Sequence, residues 1–161
     1  MSQNDLIKYE AGLIKRVNDV VNITSKLLLA NSGALKILHL DDHLLFSKGI
    51  SNCIYKTFPS AIIKWIQDGD KALEYVSYCL ANKGLLDLII TDINHPGVNG
   101  IDFSNAVRGM ETNHKQKIPI LFMTMMDDIS IIQKIEKIPF TIYLQKTDKC
   151  EKINSAINNL I

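Results

Sequence analysis

Hydrophobic positions along this chain follow two different rhythms, and the change falls near residue 35. From there to the end, short β-rich runs alternate with longer stretches whose apolar residues recur at helical spacing. "KILHL" (36–40), "IIKWI" (62–66), "LLDLIIT" (85–91), "IPILFMT" (118–124) and "FTIYL" (140–144) are the predicted strands. Several are apolar almost throughout, as parallel strands covered on both faces must be. Between them, Leu45, Gly49, Ile50, Cys53 and Ile54 share one helical face, as do Ala72, Leu73, Val76, Cys79 and Leu80. Phe103, Ala106, Val107 and Met110 mark a third helix. Ile129, Ile131, Ile132 and Ile135 mark a short fourth, and Ile153, Ala156, Ile157 and Leu160 a fifth. Strand–helix alternation repeated five times predicts an open α/β sheet built from right-handed crossovers.

Residues 1–34 keep a different period. Leu6, Leu13, Val20 and Leu27 recur every seven residues, and so do Ile7, Ile14, Val21 and Leu28. This predicts a long amphipathic helix and linker, ended near Gly33, ahead of a domain over 35–161. Two readings stay open: a helix laid against the domain, or a short parallel dimer helix through residues 6–28.

Composition narrows the class. The chain has 161 residues, 47% hydrophobic and 22% charged, with a formal net charge of +1. That balance lacks the basic footprint of a nucleic-acid or anionic-membrane binder. No apolar run approaches the ~18–20 residues of a membrane span, and charges interrupt the N-terminus too often for a signal peptide. Three cysteines, Cys53, Cys79 and Cys150, are widely spaced and form no CxxC pair. They are expected to be reduced packing residues of a cytoplasmic protein.

The candidate chemistry collects where strands end. Asp41 and Asp42 follow the first strand, Asp92 the third, Thr124 closes the fourth, and Lys146 follows the fifth. In an open α/β sheet, ligands bind outside the carboxyl ends of the strands. Three carboxylates close together need a cation, and oxygen-only donors point to a hard ion such as Mg²⁺ or Mn²⁺. The ion would let one carboxylate receive a phosphoryl group, with Lys146 and Thr124 binding its oxygens. Taken singly, each feature has a plainer reading: the Asp pair as a helix cap, Asp92 with "INHPGVNG" as turn chemistry.

"ILHLDDH", "DGDKAL" (68–73), "LIITDINHPGVNG", the Thr ending "ILFMT" and the lysine of "YLQK" together resemble the receiver (CheY-like) domain of two-component response regulators. "LDDHLLFSKGI" is most similar to the NarL/FixJ group. The resemblance implies a doubly wound five-stranded parallel sheet of flavodoxin-like order 2-1-3-4-5, here with an extra N-terminal helix. It implies Asp92 as phosphoacceptor, with Asp41, Asp42, Asp92 and the backbone carbonyl of Asn94 arranging Mg²⁺. Thr124 and Lys146 would bind the phosphoryl group. Tyr143 would serve with Thr124 as the switch, although a strand aromatic with a surface hydroxyl fits it equally. The implied partner is a histidine kinase or phosphotransfer protein. Output is implied by protein contact, including a homodimer through the face of the fourth helix, fifth strand and fifth helix.

Departures from the family pattern bear on the same site. Thr147 stands where proline usually follows the lysine, and Met125 where a small residue is usual. "EKIPFTIYL" replaces Gly-Ala before the fifth strand, which predicts a short or irregular fourth helix, and His95 is expected in a solvated loop. The chain ends at "INSAINNLI" with no helix-turn-helix, so no nucleic-acid binding is expected of it. The expected function is a cytoplasmic Mg²⁺-dependent phosphoacceptor, self-modifying and not an enzyme acting on a separate substrate. A degenerate receiver that binds without phosphorylation is the alternative. An aspartyl-nucleophile phosphatase is a weaker one, because that class carries D-x-D after its first strand and this chain reads "DDH".

Overall fold

The computed structural model describes residue 14 and residues 33–82, 86–111 and 117–161. The helix expected over 1–34 falls outside them save for position 14 and its last two residues. The chain divides into two compact units, Met1–Ala34 and Leu35–Ile161; the sheet and the site belong to the second.

Strands β1 (Lys36–Leu40), β2 (Ile62–Ile66), β3 (Leu88–Thr91), β4 (Ile120–Thr124) and β5 (Thr141–Gln145) alternate with helices α1 (Leu44–Thr57), α2 (Gly69–Ala81), α3 (Gly100–Met110), α4 (Ile129–Glu136) and α5 (Cys150–Leu160). The strands form one sheet in the order β2-β1-β3-β4-β5, and all neighbours are parallel. This is the flavodoxin-like order that the motifs imply.

Period-two alternation sends side chains to two layers. Leu38, Leu40, Ile89, Ile120 and Phe122 pack with Val76, Phe103, Val107 and Ile135. Ile37, Leu88, Ile90, Leu121 and Met123 pack on the other face with Ile50, Ile54, Ile153 and Ile157. β3 and β4 are buried at every position, which explains their apolar runs. Four helices start on side chains suited to accept orphan N–H groups. His43 accepts from the Phe46 N–H at α1. Asp68 accepts from Asp70 and Lys71 at α2, Asn99 from Ile101 and Asp102 at α3, and Asp128 from Ser130 at α4.

Several expected bounds and faces move. β3 begins at Leu88, because the Asp87 carboxylate turns aside to accept from the Lys36 N–H at 2.8 Å. β5 is shifted by one residue, because Phe140 sits at φ 57°, a conformation no strand residue adopts. In α1 the buried residues are Ser47, Ile50 and Ile54, while Leu45 is 74% exposed and Gly49 faces solvent. The helix starts at Leu44 on a His43 cap, and that start sets the register. α4 is short, as expected, and Ile129 at its start is exposed.

The cysteine expectation is overturned for two of the three residues. Cys53 on α1 and Cys150 at the start of α5 form a disulfide across 97 residues of sequence, while Cys79 is a buried free thiol. α1 and α5 lie side by side on one face of the sheet. Only that tertiary neighbourhood brings the two sulfurs together.

Candidate functional site

The strand order reverses between β1 and β3, and the two aspartates that follow those strands face each other across the crevice. Asp41 is fully buried. Its Oδ1 accepts from the His43 N–H at 2.8 Å, and its carbonyl accepts from Trp65 Nε1 at 2.7 Å. Asp92 is 8% exposed, and its Oδ1 accepts from the Ile93 N–H at 2.6 Å. Each aspartate sets its remaining oxygen, Oδ2, 2.7 Å from the same Lys146 ammonium. The directed hydrogen bond from that ammonium goes to Asp92; the contact with Asp41 is an ion pair.

β4 and β5 deliver the other two groups. The Lys146 N–H donates to the Thr124 carbonyl at 2.9 Å, which ties the start of the lysine's loop to the tip of β4. The Thr124 hydroxyl accepts from the Met126 N–H at 3.2 Å, leaving its own proton for another oxygen. Among the described residues every peptide bond is trans, including Lys146–Thr147. Burial pulls the Lys146 pKa down, but its close contacts with the Asp41 and Asp92 carboxylates outweigh it and raise the pKa overall. The lysine is therefore a fixed cation between two carboxylates.

Asp42 and Asn94 do not join this cluster. Asp42 is exposed at the rim, its carbonyl accepting from Gln67 Nε2 at 3.3 Å. Asn94 is also exposed, and its Nδ2 donates to Met126 Sδ at 3.3 Å. Tyr143 is half-buried with its hydroxyl donating to the Met126 carbonyl at 2.8 Å. The Met126 backbone thus links Thr124 to Tyr143. The Met125 side chain is 66% exposed.

The loop after Asp92 is shaped by close backbone approach. A Cβ at Gly100 would run into the Asp92 carbonyl oxygen, so only glycine lets α3 begin against the strand tip. Gly97 has φ 76°, and a Cβ there would come within 2.7 Å of Asp70 Oδ2. The Pro96 carbonyl accepts from the Gly69 N–H at 2.8 Å, locking the loop onto the start of α2. His95 is half-buried against Gly69, contrary to the expected solvated position.

Two residues of the site are not apparent as such in the strand-end pattern. The Phe46 ring lies 4.5 Å from Lys146 Nζ and covers it from α1. His39 is buried, 4.0 Å from Asp41 Oδ2, and neither ring nitrogen has a hydrogen-bond partner among the described residues. Burial first and the Lys146 charge second lower its pKa to about 4, with Asp92 opposing. The signal for His39 is its place in "LHLDD", on the same strand face as Asp41. Phe46 carries no comparable signal.

Among the described residues no three acidic, His or Cys side chains form a ready-made metal cluster. The donor chemistry nevertheless fits a small hard cation. Asp41 and Asp92 turn oxygens to one shared point, where Lys146 supplies the positive charge, and Asp42 stands exposed at the rim. Such an ion takes a few protein oxygens and completes its shell with water.

Comparison with known proteins agrees with this geometry. The family model of the response regulator receiver domain matches residues 37–158. The transcriptional regulatory protein DegU of Brevibacillus brevis is 27% identical over 127 residues, covering 79% of this chain and 50% of that protein. The glycerol metabolism activator of Pseudomonas putida is also 27% identical, over 78% of this chain and 53% of the relative. The chain thus spans about half the length of these relatives. Among solved structures, the Vibrio cholerae chemotaxis protein CheY4 aligns with TM-score 0.65 at 26% identity, over 80% of this chain and 100% of that one. The receiver domain of the histidine kinase CKI1 from Arabidopsis thaliana, complexed with Mg²⁺ and BeF₃⁻, aligns with TM-score 0.70 at 18% identity, over 78% and 89% of the two chains. With its strand order, its buried aspartate pair and its lysine at the shared carboxyl edge of the sheet, the chain belongs to the receiver domain family of two-component response regulators.

Proposed function

We propose that this chain is a phosphoacceptor that takes a phosphoryl group onto Asp92 from a histidine kinase or phosphotransfer protein in the cytoplasm. The observation that carries the reading is the pair of buried carboxylates sharing Lys146 at the point where the strand order reverses. Asp92 Oδ1 is held by the Ile93 N–H, which orients the carboxylate and leaves Oδ2 as the attacking oxygen. Lys146 bonds that oxygen at rest. On transfer its ammonium passes to the phosphoryl oxygens, keeping the arriving charge neutralised. The Thr124 hydroxyl donates to a phosphoryl oxygen. Asp41, Asp42 and Asp92, with the Asn94 carbonyl, would hold Mg²⁺ (or Mn²⁺), which supplies charge neutralisation for an anionic donor. The CKI1 receiver in complex with Mg²⁺ and BeF₃⁻ supports this requirement. The chemistry is self-modification of Asp92.

Output runs through the Thr124–Met126–Tyr143 link. If Thr124 turns to a phosphoryl oxygen, the Met126 N–H loses its acceptor, and the carbonyl that holds Tyr143 moves with it. That region carries exposed apolar surface at Met125, Ile129 and Phe140, suited to a protein partner or a second copy. The heptad spacing of residues 6–28 would supply the alternative homodimer contact.

The test is intact mass after incubation with acetyl phosphate, with and without Mg²⁺, for the wild type and Asp92→Asn. One phosphoryl group gained by the wild type only with Mg²⁺, and none by the variant, is the expected result. Equal gain by Asp92→Asn would overturn the assignment. Partner binding unchanged in Asp92→Ala would favour the phosphorylation-independent module.

A further inference from the structure

The Cys53–Cys150 disulfide joins α1 to the segment that follows the lysine of the site. Cys150 is the first residue of α5 and lies four positions after Lys146. Cys53 lies on α1, the same helix that places Phe46 against the Lys146 ammonium at 4.5 Å. α1 therefore touches the Lys146–Cys150 segment at both of its ends, once through an aromatic ring and once through sulfur. Asn154 on α5 adds a bond from its Nδ2 to the Cys53 carbonyl at 3.1 Å. The cap residue of α5, Lys149, makes no side-chain capping bond. Among the described residues, the sulfur bridge is thus the only covalent cross-link from outside the segment to the helix start that follows Lys146.

Both bridged cysteines are half-buried, within reach of a small thiol, whereas Cys79 is buried and free. A phosphoacceptor served by a histidine kinase works in a compartment whose thiol pools do not keep a permanent disulfide. We propose, resting on that reading of the site, that Cys53 and Cys150 form a reversible redox-modification site for low-molecular-weight thiols and disulfides. Its oxidised form clamps the segment that carries Lys146 to α1. Oxidation proceeds by thiol–disulfide exchange: one cysteine thiolate attacks a small disulfide and releases one thiolate. The second cysteine then attacks the mixed disulfide, closing the protein bridge and releasing the second thiol. Two protein thiols are oxidised and one small disulfide is reduced to two thiols; reduction runs the same steps backwards.

The test uses the full chain equilibrated across reduced-to-oxidised glutathione ratios, then alkylated and mapped by mass. Melting and amide hydrogen exchange are followed on the same samples. The expected result is a bridge between Cys53 and Cys150 that opens and closes within that range while Cys79 stays a thiol. Closing a loop of this length should raise Tm on the order of 10 °C. Exchange over residues 146–153 should slow, and Cys53→Ser should abolish both changes. Thiols free at every ratio, a bridge that never opens, or a bridge that leaves melting and exchange unchanged would each overturn the proposal. None of these readouts needs phosphorylation, so failure of Asp92 to accept a phosphoryl group would register separately.

Discussion

Lys146 is the cation that lets Asp41 and Asp92 coexist below the surface. Removing it strands two carboxylates in a buried crevice, where an unpaired buried charge costs about 3–5 kcal/mol. Lys146→Met should therefore lose stability of that order in urea unfolding near neutral pH, and added Mg²⁺ should stabilise the variant more than the wild type. His39 makes the second residue-scale prediction. Its pKa falls to about 4 in the folded chain, against about 6.5 when unfolded. Between those values the unfolded state binds more protons, so stability is full above pH 6.5 and is lost as pH falls toward 4. The loss across that window is about 3 kcal/mol from this one group, and His39→Leu should not show it. The difference between the two urea-unfolding profiles isolates the histidine from the carboxylates. The acidic tips, the threonine and the lysine were legible in the sequence because each type stands at a strand end. The roles of Phe46 and His39 were not, because they depend on which neighbours the folded strand and helix present.

At the scale of elements, the loop "INHPGVNG" and the start of α2 fit together by backbone contact. Gly97 adopts φ 76° with Asp70 at its back, so Gly97→Ala should destabilise by about 1–3 kcal/mol through strain alone. Gly49 lies in the middle of α1 and faces solvent, and a Cβ added there would meet nothing within 4 Å. Gly49→Ala should stabilise by about 0.5–1 kcal/mol. Opposite signs for the two substitutions in urea unfolding would confirm that the loop and not glycine content sets the effect. The five strands and five helices were readable because apolar runs and helical spacing are local. The edges were less so: Asp87, Phe140 and the His43 cap act through contacts or backbone angles that periodicity does not encode. Cys53 and Cys150, remote in sequence, could be paired only once α1 and α5 were neighbours.

Across the unit Leu35–Ile161 as a whole, two packed layers cover a sheet whose carboxyl edge gathers groups from four strands. That arrangement is what a phosphoacceptor needs, because transfer depends on positioning and charge more than on acid–base chemistry. It also explains why residues far apart in sequence were readable as one site: a parallel sheet sends every strand's carboxyl end to the same edge. The most direct measurement is the location of the phosphoryl group. Wild-type protein is incubated with acetyl phosphate and Mg²⁺, the acyl phosphate is trapped by borohydride reduction, and the peptides are mapped by mass. One reduced aspartate is expected, at Asp92, lost when Mg²⁺ is withheld. A label at Asp41 or Asp42, with Asp92 untouched, would contradict the assignment.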